Sequence, residues 1–526
     1  MRKIIFFALL LFGAISLLAQ KTNPLDLEFQ RLAVRRFIFS NNLLINEFVP
    51  SEIVAFNSMH PAFSVAEKHE AQSDETFRPK IKEGKLLLDN TCGKDAVAIY
   101  MGGVNPYATY DLEIAEYSGE AETGLEFARL GLRDRIQVVT NLKDKKGEVA
   151  IRIVENNKLL RDTTFNCDFP QSGFSLKVQL YGRTLGVFLT ENGETRYVGH
   201  LPVKQHFDDV LDFRKMETAQ NVTFILISNL KGKVLINKVS SYLSPGVGQA
   251  DIRAVSYEDL SPVIDDGRLW FTFSCRGLDT PQSAQGVLSV NPSVFDVRFE
   301  GMIVFDHGDG MWRNDYASHL FYDRQAKEWR AYACDFGGSA NREGRAKTGL
   351  ITATSKRDPR KGFSVMHASR VEPESLEGYN EDPCIFYDEN VKKWRLLTSA
   401  FVQGNIAARM YESDAWNGKF SVITHPIESN STGTSLQKIG EKVYAFMGGK
   451  DNLRIHSYPG LEELGELKLN LQPHWPKPAG RIWASLVPLS EGYPYRYVLL
   501  TMDRPNFTGV KGNNWSYGAL YFYGAN

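Results

Sequence analysis

Leu320-Phe-Tyr-Asp323 followed by Trp329-Arg330, and Ile385-Phe-Tyr-Asp388 followed by Trp394-Arg395, are two copies of one pattern set 65 residues apart. Each copy reads as a short apolar strand, a turn at the aspartate, and a second strand headed by tryptophan. Three weaker copies flank them. Taking Ser261, Ala317, Asp382, Gly433 and Ala484 as equivalent positions, the steps are 56, 65, 51 and 51 residues. The other second strands are Leu269-Trp-Phe-Thr-Phe-Ser274, Val443-Tyr-Ala-Phe-Met447 and Tyr497-Val-Leu-Leu-Thr501. Third strands follow at Leu350-Ile-Thr-Ala-Thr-Ser355, Ile406-Ala-Ala-Arg-Met-Tyr411 and Leu453-Arg-Ile-His-Ser457. Such repetition predicts a five-bladed β-propeller over 246–526. In that architecture the first strand of every blade lines the axis, and the mouth of the axis is the default ligand site.

The N-terminal half lacks this repeat but is also strand-rich. Glu148-Val-Ala-Ile-Arg-Ile-Val154 and Ser175-Leu-Lys-Val-Gln-Leu180 alternate with period two, and Asn192-Gly193 separates two such runs as a hairpin turn. An antiparallel β-sandwich is expected over 20–245, which makes the whole chain all-β. Its opening segment, Leu25-Asp-Leu-Glu-Phe-Gln-Arg-Leu32, reads as helical. The sandwich pattern resembles the concanavalin/laminin-G-like domains that accompany many carbohydrate-active enzymes.

The 526 residues carry 61 Lys+Arg against 62 Asp+Glu, so no basic excess points to nucleic acid. Met1-Arg-Lys3, the apolar run Ile4–Leu18 and Ala19-Gln20 have the layout of a secretory signal peptide over 1–19, shorter than a membrane span. Export to the periplasm or the extracellular space is expected, with no membrane span once the peptide is cleaved. The odd number of cysteines, five, leaves at least one unpaired, and Cys275 and Cys334 read as buried thiols. No Cys-x-x-Cys pair or zinc spacing occurs.

The blade pattern, with Glu381-Asp382-Pro383-Cys384-Ile385-Phe386 on the third unit, resembles the five-bladed propeller glycoside hydrolases, notably family 43 and its relatives in families 32, 62, 68 and 117. The resemblance covers about 252–526. It implies a carbohydrate substrate and three carboxylates on the inner strands of the first three blades. A glutamate two residues before a proline is the family's general acid, and Glu381 stands there. The family's base is an aspartate just before a proline on the first blade, where Ser261 stands by the alignment above. On the second blade Ala317-Ser-His319 replaces the aspartate. Residues two apart on a strand share a face, so Asp259 and Asp315, each two residues upstream, are the candidate carboxylates. Glycosidic cleavage needs one protonated carboxyl and one ionised carboxylate across the bond. Glu381 is thus the expected acid, Asp259 the base and Asp315 the orienting, pKa-setting group, with inversion expected if family 43 is followed.

Further candidates surround these three. The loop Phe305-Asp-His-Gly-Asp-Gly-Met-Trp-Arg-Asn314 offers His307, Trp312 and Arg313 for substrate contact, and Arg481 on the fifth unit suits an anionic sugar. His319 is an acid/base variant or a satisfied core histidine. Asp382, facing away from Glu381 by alternation, is a structural or pKa-tuning group. No cofactor is required, although the resemblance leaves room for a divalent cation such as Ca2+ in the channel. Two other readings stay open: a glycan-binding propeller that lost catalysis with its first-blade aspartate, and a lyase or phosphorylase relying on His307 or His319. No nucleotide, phosphate-loop or Gly-x-Ser-x-Gly motif competes.

Overall fold

The computed structural model describes residues 23–526 except 37–38, 41, 54–62, 66–78, 91–95, 130–132, 144–145, 171, 202–206, 279–281, 337–345, 403, 426, 428–430, 449–451, 471–482, 484, 503–506 and 512–517. The signal segment, Cys92 and Arg481 lie outside them. The chain is all-β: a sandwich followed by a five-bladed propeller. No helix among the described residues is long and apolar enough to cross a membrane.

Two strands of 22 residues, Ala108–Arg129 and Val222–Leu243, pair along their whole length and serve both faces of the sandwich. The first half of Ala108–Arg129 also pairs with Ser172–Tyr181, and its second half with Arg135–Lys143. Gly119 and Gly232 sit opposite each other at the changeover. A Cβ on Gly119 would lie 2.6 Å from the Lys231 carbonyl, so only glycine lets the two backbones cross there. Tyr110, Leu112, Phe127, Ile136, Leu176 and Phe224 fill the space between the sheets. The hairpin Thr184–Glu191 and Glu194–Leu201 turns on Asn192 (φ 50°) and Gly193 (φ 80°), as the Asn-Gly pair requires.

The first four blades run in chain order. Blade one is Gly248–Ala254, Arg268–Arg276, Ser283–Asn291 and Asp296–Asp306. Blade two is Asp315–Asp323, Glu328–Asp335, Leu350–Ser355 and Gly362–Arg370. Blades three and four begin at Asn380–Asp388 and Thr432–Ile439. The outer strands of blades one and two pair in parallel, joining them into one sheet.

Two expectations need correction here. The inner strand of blade one is Gly248–Ala254, not the segment around Ser261, because it is Gly248–Ala254 that pairs with Arg268–Arg276. Leu260-Ser261 instead sits in a turn, with Leu260 at φ 68° and the Tyr257 amide donating to the Ser261 carbonyl. Secondly, Leu25–Leu32 is not an α-helix: a single 3-10 turn, Pro24–Asp26, leads into a strand. Glu28–Arg35 is a strand on the fifth blade, paired antiparallel with Leu520–Ala525. Blade five therefore joins strands remote in sequence: Ser485–Pro488, Tyr497–Met502, Leu520–Ala525 and Glu28–Arg35. Leu27 and Phe29 are buried against Leu499, Tyr521 and Tyr523. That two-residue spacing is a strand period, and its partner lies about 490 residues away in sequence, a pairing that only tertiary closure supplies.

Candidate functional site

The inner strands of blades one to four share a local irregularity. Their pairing shifts register between Ala250 and Arg253, Tyr316 and His319, Glu381 and Cys384, and Thr432 and Ser435. At each shift one residue adopts a positive φ: Asp251 (53°), Ala317 (56°), Asp382 (56°) and Gly433 (64°). These are β-bulges, which re-aim side chains at the end of a strand. The true first-blade counterpart of Asp382 is thus Asp251, a residue the sequence reading missed. A signal was available, because the step from Asp251 to Ala317 is 66 residues, close to the 65 from Ala317 to Asp382. No proline follows Asp251, which hid it.

Asp251 is buried and paired with Arg276, whose Nη2 lies 2.7 Å from Asp251 Oδ2. The Arg276 Nη1 donates to the Tyr316 hydroxyl at 3.2 Å, and the guanidinium stacks on the same ring. Tyr316 comes from blade two and feels the charges of Arg276, Asp251 and Glu381 together, so blades one, two and three converge there. Burial holds its phenol well above the ordinary range. Glu381 is half-buried, one residue before the bulge.

Asp382 does not simply face away from Glu381, because the bulge breaks the alternation. Its Oδ2 accepts from the Gly433 amide (2.8 Å), Thr432 Oγ1 (3.0 Å) and Ser399 Oγ (3.4 Å), tying blade three to blade four. Burial, with the charge of Asp251 adding to it, raises its pKa.

Asp315 begins the inner strand of blade two and is fully buried. Its Oδ2 lies 2.8 Å from His307 Nε2, and its Oδ1 has no hydrogen-bond partner among the described residues. Asp335, also buried, is its cross-strand partner. Burial pushes Asp315 up to about 6, with the His307 contact opposing and the Asp335 charge adding. A carboxyl poised there changes charge near neutrality.

The remaining candidates are dispersed. Asp259 lies beyond Tyr257, which pairs with Tyr322 near the far end of the strand that Asp315 begins. Seven residues of strand amount to roughly 20 Å, so Asp259 is at the opposite face of the propeller from Asp315. It is half-exposed and held by Arg324 (2.8 Å) and by Ser261. Burial works to raise its pKa, but those hydrogen bonds outweigh it and hold the carboxyl below its usual value. The expectation that Asp259 presents its carboxylate with the other two is not met. His319 lies deep on the axis: the Ile385 amide donates to Nδ1 (3.1 Å), which leaves Nε2 to donate to Ser256 Oγ (3.1 Å). Burial, helped by Arg253, lowers it to about 3, so it is a neutral histidine bridging blades. Trp312 packs between Tyr107 of the sandwich and Phe363 of blade two, and Arg313 pairs with Asp309.

The described residues contain no group of three His, Cys, Asp or Glu side chains arranged to hold a metal ion. The narrow axial cavity is lined by Arg253, His319, Ser256, Ser435 and Gln437. The free cysteines 275, 334 and 384 are buried.

No protein-family model and no curated protein matches the chain. Among solved structures it is similar to Zg3597, a family 117 glycoside hydrolase of the marine bacterium Zobellia galactanivorans (12% identity, TM-score 0.38, covering 53% of this chain and 84% of that one). It is also similar to the GH43 β-1,3-galactosidase BT3683 solved with galactodeoxynojirimycin (11%, TM-score 0.37, 53% and 90%). LamAcat of Z. galactanivorans is similar as well (10%, TM-score 0.27, 38% and 98%).

Proposed function

We propose that the propeller mouth cleaves glycosidic bonds of an oligo- or polysaccharide, with Glu381 as proton donor and Asp251 as the ionised carboxylate across the bond. The observation that carries this reading is the Asp251–Arg276 pair on blade one, gathered with Glu381 around Tyr316. The Arg276 contact fixes the Asp251 carboxylate in place, and a base or nucleophile acts from a fixed position. Glu381 is more accessible than Asp251, the setting in which a carboxyl can hand a proton to a leaving oxygen. Asp315 is the third carboxylate. Its charge, when present, favours the protonated form of a neighbouring acid. In this reading Asp251 takes the part that the sequence alone assigned to Asp259. Inversion through one water is the expected stereochemical course, and a separation of roughly 6.5–9.5 Å between the two working carboxyls would accompany it.

A buried aspartate at the first-blade bulge, Asp251, favours catalysis over a propeller that only binds glycans. A lyase resting on His319 is disfavoured by the engagement of both its ring nitrogens. Export fits the same reading, since the basic-then-apolar N-terminus suits a protein meeting glycans outside the cytoplasm. The test is release of sugar from a panel of plant, algal and host glycans by the wild type, Glu381→Gln and Asp251→Asn. Loss in both variants supports the assignment. Activity that survives in both overturns it.

A further inference from the structure

We infer that the N-terminal sandwich is a working part of the propeller mouth: it clamps the loop 307–313 and thereby holds His307 on Asp315. Met216 and Trp312 are the positioning residues. The inference rests on the proposed reading only for its consequence in catalysis, and on geometry for the clamp itself.

The loop combines flexible backbone with short-range contacts of its own. It contains two left-handed glycines, Gly308 (φ 74°) and Gly310 (φ 70°). Short-range contacts within it include Gly308 N–H to Asp306 Oδ1, Met311 N–H to Asp309 Oδ1, and Arg313 to Asp309. The sandwich supplies a second set of contacts, and blades one and two add to it. The Trp312 amide donates to the Arg214 carbonyl (2.6 Å), the Met216 amide donates to the Gly310 carbonyl (2.9 Å), and Lys215 and Met311 form an antiparallel bridge. Gln282 Nε2 reaches both the Trp312 carbonyl and the Tyr107 hydroxyl at 3.2 Å. The Trp312 ring meets Tyr107 edge-on at 6.2 Å and Phe363 at 5.4 Å. A two-residue ladder and a wedged indole thus fix a loop whose first residue touches a buried carboxylate.

The groups that bear on Asp315 are His307 and Arg313 from the loop, Asp335 from the paired strand with Arg370 3.8 Å from it, and Tyr107 from the sandwich. His307 is the contact that opposes the upward push of burial on Asp315. Losing the His307 contact while Asp315 stays buried withdraws that opposition, and Asp315 then keeps its proton to higher pH.

Met216→Pro tests the clamp on the full chain. Met216 is the first residue of the helix Met216–Gln220, where proline is tolerated, and Lys215 before it is extended (φ −84°, ψ 125°). The change deletes one donor. Met216→Ala, which keeps the amide, is the control. Deuterium exchange over 307–315 is expected to quicken about five- to tenfold in Met216→Pro, with the inner strands unchanged. The pH at which thermal stability responds to Asp315 should rise in Met216→Pro and in His307→Gln alike. Trp312→Ala should behave like Met216→Pro, and Trp312→Phe should restore much of the wild-type exchange. Unchanged exchange and unchanged pH dependence in Met216→Pro would overturn the clamp. Faster exchange from a protein that cleaves no glycan would leave the clamp standing and sink only the catalytic reading.

Discussion

Asp251 and Asp382 occupy the same bulge on the inner strands of blades one and three, each in the left-handed region. Their fates diverge through their partners. Arg276 neutralises Asp251, whereas Asp382 is satisfied by an amide and two hydroxyls. One position thus holds an ion pair on blade one and a hydrogen-bonded strut on blade three.

The ion pair makes the first prediction. Asp251→Asn should lower glycan-cleaving kcat by about 10²–10⁴-fold, the span of a lost general base. Asp259→Asn, at the opposite face, should leave the rate within about twofold, since a half-exposed surface ion pair contributes little. Steady-state kinetics on whichever glycan is cleaved decides between them.

The strut makes the second. Asp382→Ala leaves the Gly433 amide and the Thr432 and Ser399 hydroxyls without their acceptor. A loss of about 2–4 kcal/mol is expected, measured by urea unfolding against the wild type. Asp382→Asn keeps one acceptor oxygen and should cost less.

Asp315 gives a pH prediction. Its pKa rises from 3.8 unfolded to about 6 folded, so between those values the folded state binds the extra proton. Stability from this group is therefore present in full below pH 3.8 and is lost as pH rises through about 6. Asp315→Asn should be more stable than the wild type at pH 7.5, and the advantage should shrink toward pH 4. A calorimetric series across that range measures it. If catalysis needs the ionised form, the wild-type acid limb should fall near pH 6.

His319 has the opposite dependence. Its pKa falls from 6.5 unfolded to about 3 folded, so the unfolded chain takes up the proton first as pH drops. The protein should lose stability steadily between pH 6.5 and pH 3. His319→Gln should flatten that part of the acid-unfolding curve followed by circular dichroism.

Blade five makes the last prediction. A chain beginning at residue 246, the boundary drawn from the repeat, lacks Glu28–Arg35 and exposes the edge of Leu520–Ala525. An unpaired apolar edge invites aggregation. Such a chain should be largely insoluble, and appending 23–36 to its C-terminus should recover soluble protein in a fractionation assay.

Much of this protein was legible from local pattern. The paired Phe-Tyr-Asp and Trp-Arg copies determined the propeller and its blade count, because every blade must bury the same kind of strand. Asn192-Gly193 determined its hairpin, since a tight turn needs those conformations. Glu381 was singled out by its place two residues before Pro383, and it lies on the inner strand Asn380–Asp388. Other features rest on contacts between residues remote in sequence, which no local spacing records. Blade one's inner strand was decided by which segment pairs with Arg268–Arg276, and Asp251 emerged only when Arg276 and Tyr316 were packed around it. Asp259 shares a sequence offset with Asp315 but is left on the opposite face, because the turn after Tyr257 reverses the chain at the far end of the blade. The fifth blade closes with a strand from the other end of the molecule, and the mouth is braced by a domain that sequence alone treats as separate. Local propensity determined the repeating strands, and closure of the ring decided which side chains meet inside it.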